Sequence, residues 1–551
     1  MRLKWCAALV ALSVIATAAA DPPKLAVLIV VDQMRADYVD HFQGDWTAGL
    51  KRLVTKGAWF SRAAYPYLDT VTCAGHATIG TGAYPSKHGV FQNAWIDRQS
   101  DALITCTQDE TVKGVPYGKA VPASESARQL MIPTFAEEMH RQKGSHVVSL
   151  SLKARSAIML AGHSADAVTW LSDNLDGWTT STAFATAPVP EIGAYVAANP
   201  IEADFGHTWE KLLPPSRYGE WWEPMSRGGS RPEAPNPDAG LGEVAPAGWS
   251  ISFPHVLNGM PGDTKPSQAY YLQWERSPFA DAYLGKMAAG LVEAMQLGKH
   301  DTTDVLAISF SSPDLVGHQF GPRSHEIRDM YAHLDVTIGT LLDRLDALVG
   351  PDKYVVALSA DHGVTEIPEQ LRADGRDGGR IDSQALFRAI EGAAQKAGPG
   401  RYVGHLTSND VYFLPGMFQK LTSNKEAIEA VLKAADSQPG IAGAYRADQL
   451  VLGPTSKDAN LRAAALSYFP DRSGDLILSP KPGWMIGATG TTHGSANPED
   501  QRVPILFYGV GIKPGRYQDA VSPADIAPTL ADIAGITLSS AQGTVLRSAR
   551  N

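Results

Sequence analysis

Cysteine is scarce in this sequence: three residues in 551. One of them, Cys6, lies in an N-terminal leader, so Cys73 and Cys106 can form at most one intrachain bridge. Their spacing does not settle whether their Cα atoms come within about 7 Å, and the choice between a disulfide and two packed thiols stays open. An excess of basic charge is also missing. Lys and Arg number 48 against 58 Asp and Glu, giving a net charge of -10 and a pI near 5.8, which argues against nucleic acid or an anionic membrane as the main partner. Beyond the leader no apolar run reaches the roughly 18–20 residues that span a bilayer. Internal repeats and low-complexity tracts are absent as well. The leader has a charged start at Arg2 and Lys4, an apolar stretch from Cys6 to Ala16, and small residues Ala18-Ala19-Ala20 before Asp21. That pattern is a secretory signal peptide. It predicts residues 1–20 as signal, residues 21–551 as the mature catalytic unit, a periplasmic or secreted location, and no stable membrane insertion after cleavage.

What is present is a chain that is 44% hydrophobic and long enough to bury a large core. Continuous apolar runs of strand length occur at Leu25–Val31, His146–Leu152, Val305–Phe310, Tyr354–Ser359 and Val503–Tyr508. Between them lie helical patterns. Met330, Leu334, Ile338, Leu341 and Leu345 form one stripe, and Pro133 reads as the first position of a helix running to about Lys143. Alternation of this kind predicts an α/β fold with a largely parallel sheet sandwiched by helices. Two regions depart from it. Residues 205–262, rich in Trp, Pro and Gly and including Trp221-Trp222 and Arg231–Pro237, read as an inserted cap roofing the site. Residues 365–453 read as a small inserted subdomain.

Chemistry-bearing residues gather just past the strand ends, where open α/β sheets bind ligands. Asp32 ends the first apolar run. Asp314 and His318, four apart, follow the third, Asp361-His362-Gly363 follows the fourth, and Thr491-Thr492-His493-Gly494 places a late histidine in a loop. Each alone is a weak signal, because an Asp at a strand end is commonly a cap and a loop His commonly solvated. Together they match the oxygen and nitrogen donors that bind zinc. Two such ions about 4 Å apart can stabilise the attacking and leaving oxygens of a phosphoryl transfer.

Asp32, the Thr72-Cys73-Ala74-Gly75-His76 turn, Asp314 with His318, Asp361-His362 and His493 together resemble the alkaline phosphatase superfamily over roughly residues 24–535. The resemblance implies two Zn2+ ions, one held by Asp32, Asp361, His362 and Thr72, the other by Asp314, His318 and His493. Manganese or iron could occupy similar ligands. It also implies Thr72 as the nucleophile, a hydroxyl too weak to attack unless activated. Locally Thr72 reads as well as a helix cap, and Thr70 and Thr78 are its neighbours. A sulfatase is disfavoured because Gly75 and Ala77 stand where that branch carries Pro and Arg.

Asn93, Lys153 and Arg155 supply a phosphate grip: an amide donor, a point charge and a planar fork. A turn Asn and a solvated basic pair are the plain alternatives. This set resembles the PafA-type bacterial alkaline phosphatases, close to the type I phosphodiesterase/nucleotide pyrophosphatase branch. It implies small phosphate monoesters as substrates for a monomeric enzyme. The rivals are a phosphodiesterase or nucleotide pyrophosphatase with the same metals and a non-catalytic metal- or phosphate-binding protein of the cell envelope. Histidines 76, 88 and 163 read as structural. Intact-mass measurement of the exported protein should find Asp21 as its first residue; a chain still starting at Met1 contradicts the cleavage site.

Overall fold

A computed structural model describes residues 21–118, 124–175, 177–218 and 238–551. Its centre is a ten-stranded sheet. The Leu25–Val31 strand lies in the middle, parallel to Asp304–Phe310 on one side and to Tyr354–Ser359 on the other. Val147–Ser151 and then Ala167–Leu171 continue the parallel run beyond Asp304–Phe310. All seven side chains of Leu25–Val31 are buried. Leu25, Val27, Ile29 and Val31 feed one hydrophobic core, while Ala26, Leu28 and Val30 feed a second on the opposite face. Period-two alternation thus serves two helical layers at once, which is why the strand is an unbroken apolar run. At about 1.5–3 kcal/mol for each fully buried aliphatic side chain, such strands contribute heavily to stability.

The edges are less regular. Ile505–Gly509 pairs antiparallel with Tyr354–Ser359, so the fifth apolar run does not join the parallel set. Beyond it come Ala58–Ala63 and Gly515–Val521. At the other edge, Trp178–Ser181 and Gly114–Tyr117 add two antiparallel strands. An apolar run encodes burial but not direction. The stripe from Met330 to Leu345 lies on one long helix, His325–Leu348. The helix expected from Pro133 begins later, at Phe135. Thr134 caps it, its hydroxyl oxygen accepting from the Glu137 N–H at 3.1 Å, and Pro133 stays outside because a side-chain cap outranks a favourable dihedral.

Part of the 205–262 insertion forms a short antiparallel pair, Thr208–Trp209 with His255–Val256. Buried Trp209 donates from its indole to Asp329 Oδ1 of the long helix at 2.7 Å. Trp221-Trp222 and Arg231–Pro237 lie outside the described residues. The second insertion has its own four-stranded antiparallel sheet, in the order Val403–Thr407, Asp410–Phe413, Leu476–Pro480, Ile441–Arg446. Helices Ser383–Ala394 and Lys425–Asp436 place Leu386, Ile390, Ile428 and Val431 in its core. This unit therefore extends past residue 453, because a late strand completes its sheet.

Cys73 and Cys106 are joined by a disulfide, with their Cα atoms 6.5 Å apart. Replacing both by Ser should lower unfolding stability by about 2–4 kcal/mol, read from denaturant midpoints; an unchanged midpoint contradicts the bond.

Candidate active site

The order of four neighbouring strands decides the site. Tyr354–Ser359, Leu25–Val31, Asp304–Phe310 and Val147–Ser151 lie side by side and parallel. Their carboxyl ends deliver Asp361, Asp32, Asp314 and Lys153 to one place. Asp32 and Asp361 are fully buried and Asp314 almost so. Lys153 Nζ reaches Asp32 Oδ2 at 2.6 Å and Asp314 Oδ2 at 2.5 Å. His318 Nε2 lies 3.2 Å from Asp314 Oδ1, and His493 Nε2 lies 3.7 Å from the same atom. His362 Nε2 is 3.4 Å from Asp32 Oδ1 and 3.3 Å from Asp361 Oδ2. Donor atoms of Asp314, His318 and His493 fall within 4.8 Å of one another, as do those of Asp32, Asp314 and His362. Asp314 thus belongs to both groups, and Asp361 stands against the second through His362.

The imidazoles are oriented from behind. Nδ1 of His318 faces the Thr491 carbonyl at 2.8 Å, that of His362 the Gly363 carbonyl at 2.9 Å, and that of His493 the Thr70 carbonyl at 2.8 Å. A carbonyl only accepts, so each Nδ1 carries a proton and each ring turns its Nε2 inward. Burial, with His362 and His318 nearby, holds His493 well below the usual imidazole range, and burial also lowers His362. Burial and the neighbouring Asp314 and Asp361 push Asp32 well up. Burial pushes Asp314 up too, but His318 and Lys153 outweigh it and hold the carboxyl well below its ordinary value. Imidazole nitrogens and carboxylate oxygens thus converge, with Asp32 Oδ1 making no hydrogen bond. This donor chemistry fits divalent metal, and the orienting carbonyls are of the kind that fix metal-binding histidines.

Thr72 opens the helix Thr72–Thr81, is buried, and lies with Oγ1 3.5 Å from His362 Nε2. The cap position belongs to Val71, and no side chain caps this helix; the helix-cap reading of Thr72 is therefore corrected. The helix start, where the Cys73 N–H is taken by Asn93, still carries the positive end of the helix dipole, which favours an anion. A Cβ at Gly75 would strike the Asp361 backbone, so glycine is what lets the helix dock there. Thr70 is engaged with Ser495, its hydroxyl donating to the carbonyl at 2.9 Å, and Thr78 with Tyr67 and His88. Neither is free to compete with Thr72.

Asn93 Oδ1 accepts from the Cys73 N–H at 2.9 Å, and its carbonyl accepts from the Cys106 N–H at 3.0 Å. The disulfide therefore grips Asn93 from both sides and leaves its NH2 as the free donor. A cavity of about 410 Å³ opens beside Asn93, His318 and His493. Its outer lining comes from the small subdomain and the segment after it, including Ser408, Asn409, Pro480 and Trp484. The described residues of the 205–262 insertion are not in that lining. Lys153 is placed differently. The strand gives way after Ser151 to a two-residue bend, Leu152-Lys153, before the helix Ala154–Ala161, and the Lys153 ammonium pairs with two carboxylates. Arg155, on the first turn of that helix, is near enough for its charge to oppose that of Lys153.

His76, read from the sequence as structural, supports the site from behind. Its Nδ1 lies 3.2 Å from Asp361 Oδ2 and 2.9 Å from the Thr72 carbonyl, and its Nε2 meets Ser309 Oγ at 2.8 Å. The four-residue spacing from Thr72 was the available signal. Sequence reasoning missed Asp500: it accepts from Thr365 Oγ1 at 2.8 Å and from the Ser495 N–H at 3.1 Å, tying down the loop of His493. His88 and His163 are structural, as expected, held by Thr78 and Glu137.

Residues 26–501 match the family model described as type I phosphodiesterase / nucleotide pyrophosphatase. The chain belongs to that family, and it has the alkaline-phosphatase-like fold that the sequence resemblance implied. Within it, the chain is 32% identical to alkaline phosphatase PhoK of a Sphingomonas species, over 93% of this chain and 88% of that one. It is 29% identical to alkaline phosphatase PafA of Elizabethkingia meningoseptica, over 94% and 92%. The crystal structure of wild-type PafA superposes with a TM-score of 0.84 at 27% identity, covering 97% of this chain and all of that one.

Zinc added to metal-stripped protein at about 1,000 times its dissociation constant should raise unfolding stability by about 4 kcal/mol. Thermal or denaturant unfolding reads this, and an unmoved transition contradicts a metal site here.

Proposed function

We propose that this chain is an exported, metal-dependent alkaline phosphatase that hydrolyses small phosphate monoesters through a phosphothreonine on Thr72. The observation that carries the reading is the placement of a buried threonine hydroxyl at a helix start, 3.5 Å from Nε2 of His362, which belongs to one of the donor groups. The family and the similarity to PafA and PhoK support a phosphatase. Asp32, Asp361, His362 and Thr72 would hold one zinc, and Asp314, His318 and His493 the other. Bound there, two zinc ions would supply Lewis-acid charge for the attacking and leaving oxygens.

The chain's own residues do the rest. Thr72 gives up its hydroxyl proton and its Oγ1 forms a bond to phosphorus as the ester oxygen leaves with its electron pair and takes up a proton from solvent. Water then breaks the threonine–phosphorus bond and releases inorganic phosphate, so two displacements give net retention. The helix N-terminus and the free Asn93 NH2 orient the transferring group, and electrostatic positioning is the main catalytic device. Lys153 and Arg155 add positive charge suited to a monoester, whose non-bridging oxygens carry more negative charge than those of a diester. The leader peptide supports export. Among the described residues no helix is long and apolar enough to cross a membrane.

The same fold and metals would also serve a phosphodiesterase, and the family name favours weighing that reading. Two measurements test the choice. Thr72→Ala should abolish steady turnover while zinc content stays near wild type; full activity in this variant contradicts the nucleophile. Wild type should cleave p-nitrophenyl phosphate faster than its bis ester, and Lys153→Ala with Arg155→Ala should harm the monoester reaction far more. Equal harm to both, or a faster diester reaction, favours the phosphodiesterase.

A further inference from the structure

Gln33 follows Asp32 on the turn that leaves the central strand. It is buried and holds a left-handed backbone, φ 68°. That conformation is disfavoured for a residue with a Cβ, and persistence in it points to a demand from the surroundings. Two hydrogen bonds supply the demand. The Gln33 side-chain Nε2 donates to Asp314 Oδ1 at 2.7 Å, and the Gln33 backbone N–H donates to Asp361 Oδ1 at 3.2 Å. One residue therefore touches a carboxylate of each proposed metal set, using its side chain for one and its main chain for the other.

The helix Ser312–Phe320 makes room for this arrangement. Gly317 lies between Asp314 and His318, and a Cβ there would collide with Gln33 Oε1. Asp314 is also the shared member of both donor groups, so its angle sets how the two groups stand to each other. Its Oδ2 is held by Lys153 and its Oδ1 by Gln33. Among these two partners Gln33 is the neutral one: it orients the carboxylate without cancelling its charge.

We propose that Gln33 is a positioning residue that sets the Asp314/His318/His493 metal set in register with the Asp32/Asp361/His362 set. The inference rests on the two-metal reading above. Gln33 touches no substrate; it acts through Asp314. Outer partners of this kind commonly tune metal affinity by 10–100-fold.

Zinc titration of the metal-stripped full chain against a competing chelator tests it, with unfolding of the metal-free forms measured in parallel. Three variants separate the contributions. Gln33→Met keeps the shape and removes the amide. Gln33→Gly suits the left-handed backbone better and keeps the N–H to Asp361. Gly317→Ala displaces the amide while leaving Gln33 in place. Wild type should bind two zinc ions. In all variants that fold, one zinc should weaken by about 10–100-fold while the other holds, and metal-free Gln33→Gly should unfold no earlier than wild type. Unchanged affinity for both ions, or equal weakening of both, overturns the proposal. Fewer than two zinc ions in wild type removes the two-metal reading itself, and the wild-type isotherm alone tells that failure apart.

Discussion

Three carboxylates, Asp32, Asp314 and Asp361, are buried together at the ends of neighbouring strands, and the rest of the site is arranged around that fact. Taking one charge out of water costs several kcal/mol even after the protein relaxes. Lys153 offsets part of this through two short ion pairs. The three imidazoles, held with their Nε2 atoms inward by backbone carbonyls, add nitrogen ligand atoms. Such a cluster is poorly balanced as a structural core and well suited to divalent cations. Its cost is carried by the two hydrophobic layers fed by the central strands.

From this cluster outward, each element is held by a small number of specific contacts. Gly75 lets the Thr72 helix approach the Asp361 backbone closely. Thr70 and Ser495 pair reciprocally, which joins the turn before Thr72 to the loop after His493. The disulfide clamps Asn93 through the N–H groups of Cys73 and Cys106. The proposed nucleophile, phosphate-gripping amide and metal ligands come from distant parts of the chain, yet they share these few joints. A rigid arrangement of this kind is what electrostatic positioning in phosphoryl transfer requires.

Much of this was legible in the sequence because buried parallel strands read as unbroken apolar runs. Leu25–Val31 and Tyr354–Ser359 have the same bounds in sequence and structure, so Asp32 and Asp361 were correctly placed at strand ends. Strand direction was not legible: the run at 503–508 enters antiparallel, since hydrophobicity encodes burial alone. Long-range pairing was hidden as well. The small subdomain needs Leu476–Pro480 to complete its sheet, and among the described residues the wall of the cavity comes from that side. Lys153 and Arg155 were found as a basic pair, but the immediate start of a helix at Ala154 and the pull of two carboxylates on Lys153 depend on tertiary structure. Gln33 carried no signal, because its role lies in a backbone angle and a glycine almost three hundred positions away.

The central claim is that Thr72 carries the phosphoryl group during turnover. Acid quenching of the zinc-loaded enzyme at saturating p-nitrophenyl phosphate, followed by peptide mass spectrometry, tests it most directly. The account predicts a phosphorylated peptide with the modification on Thr72. A phosphoryl group on a different residue would contradict it.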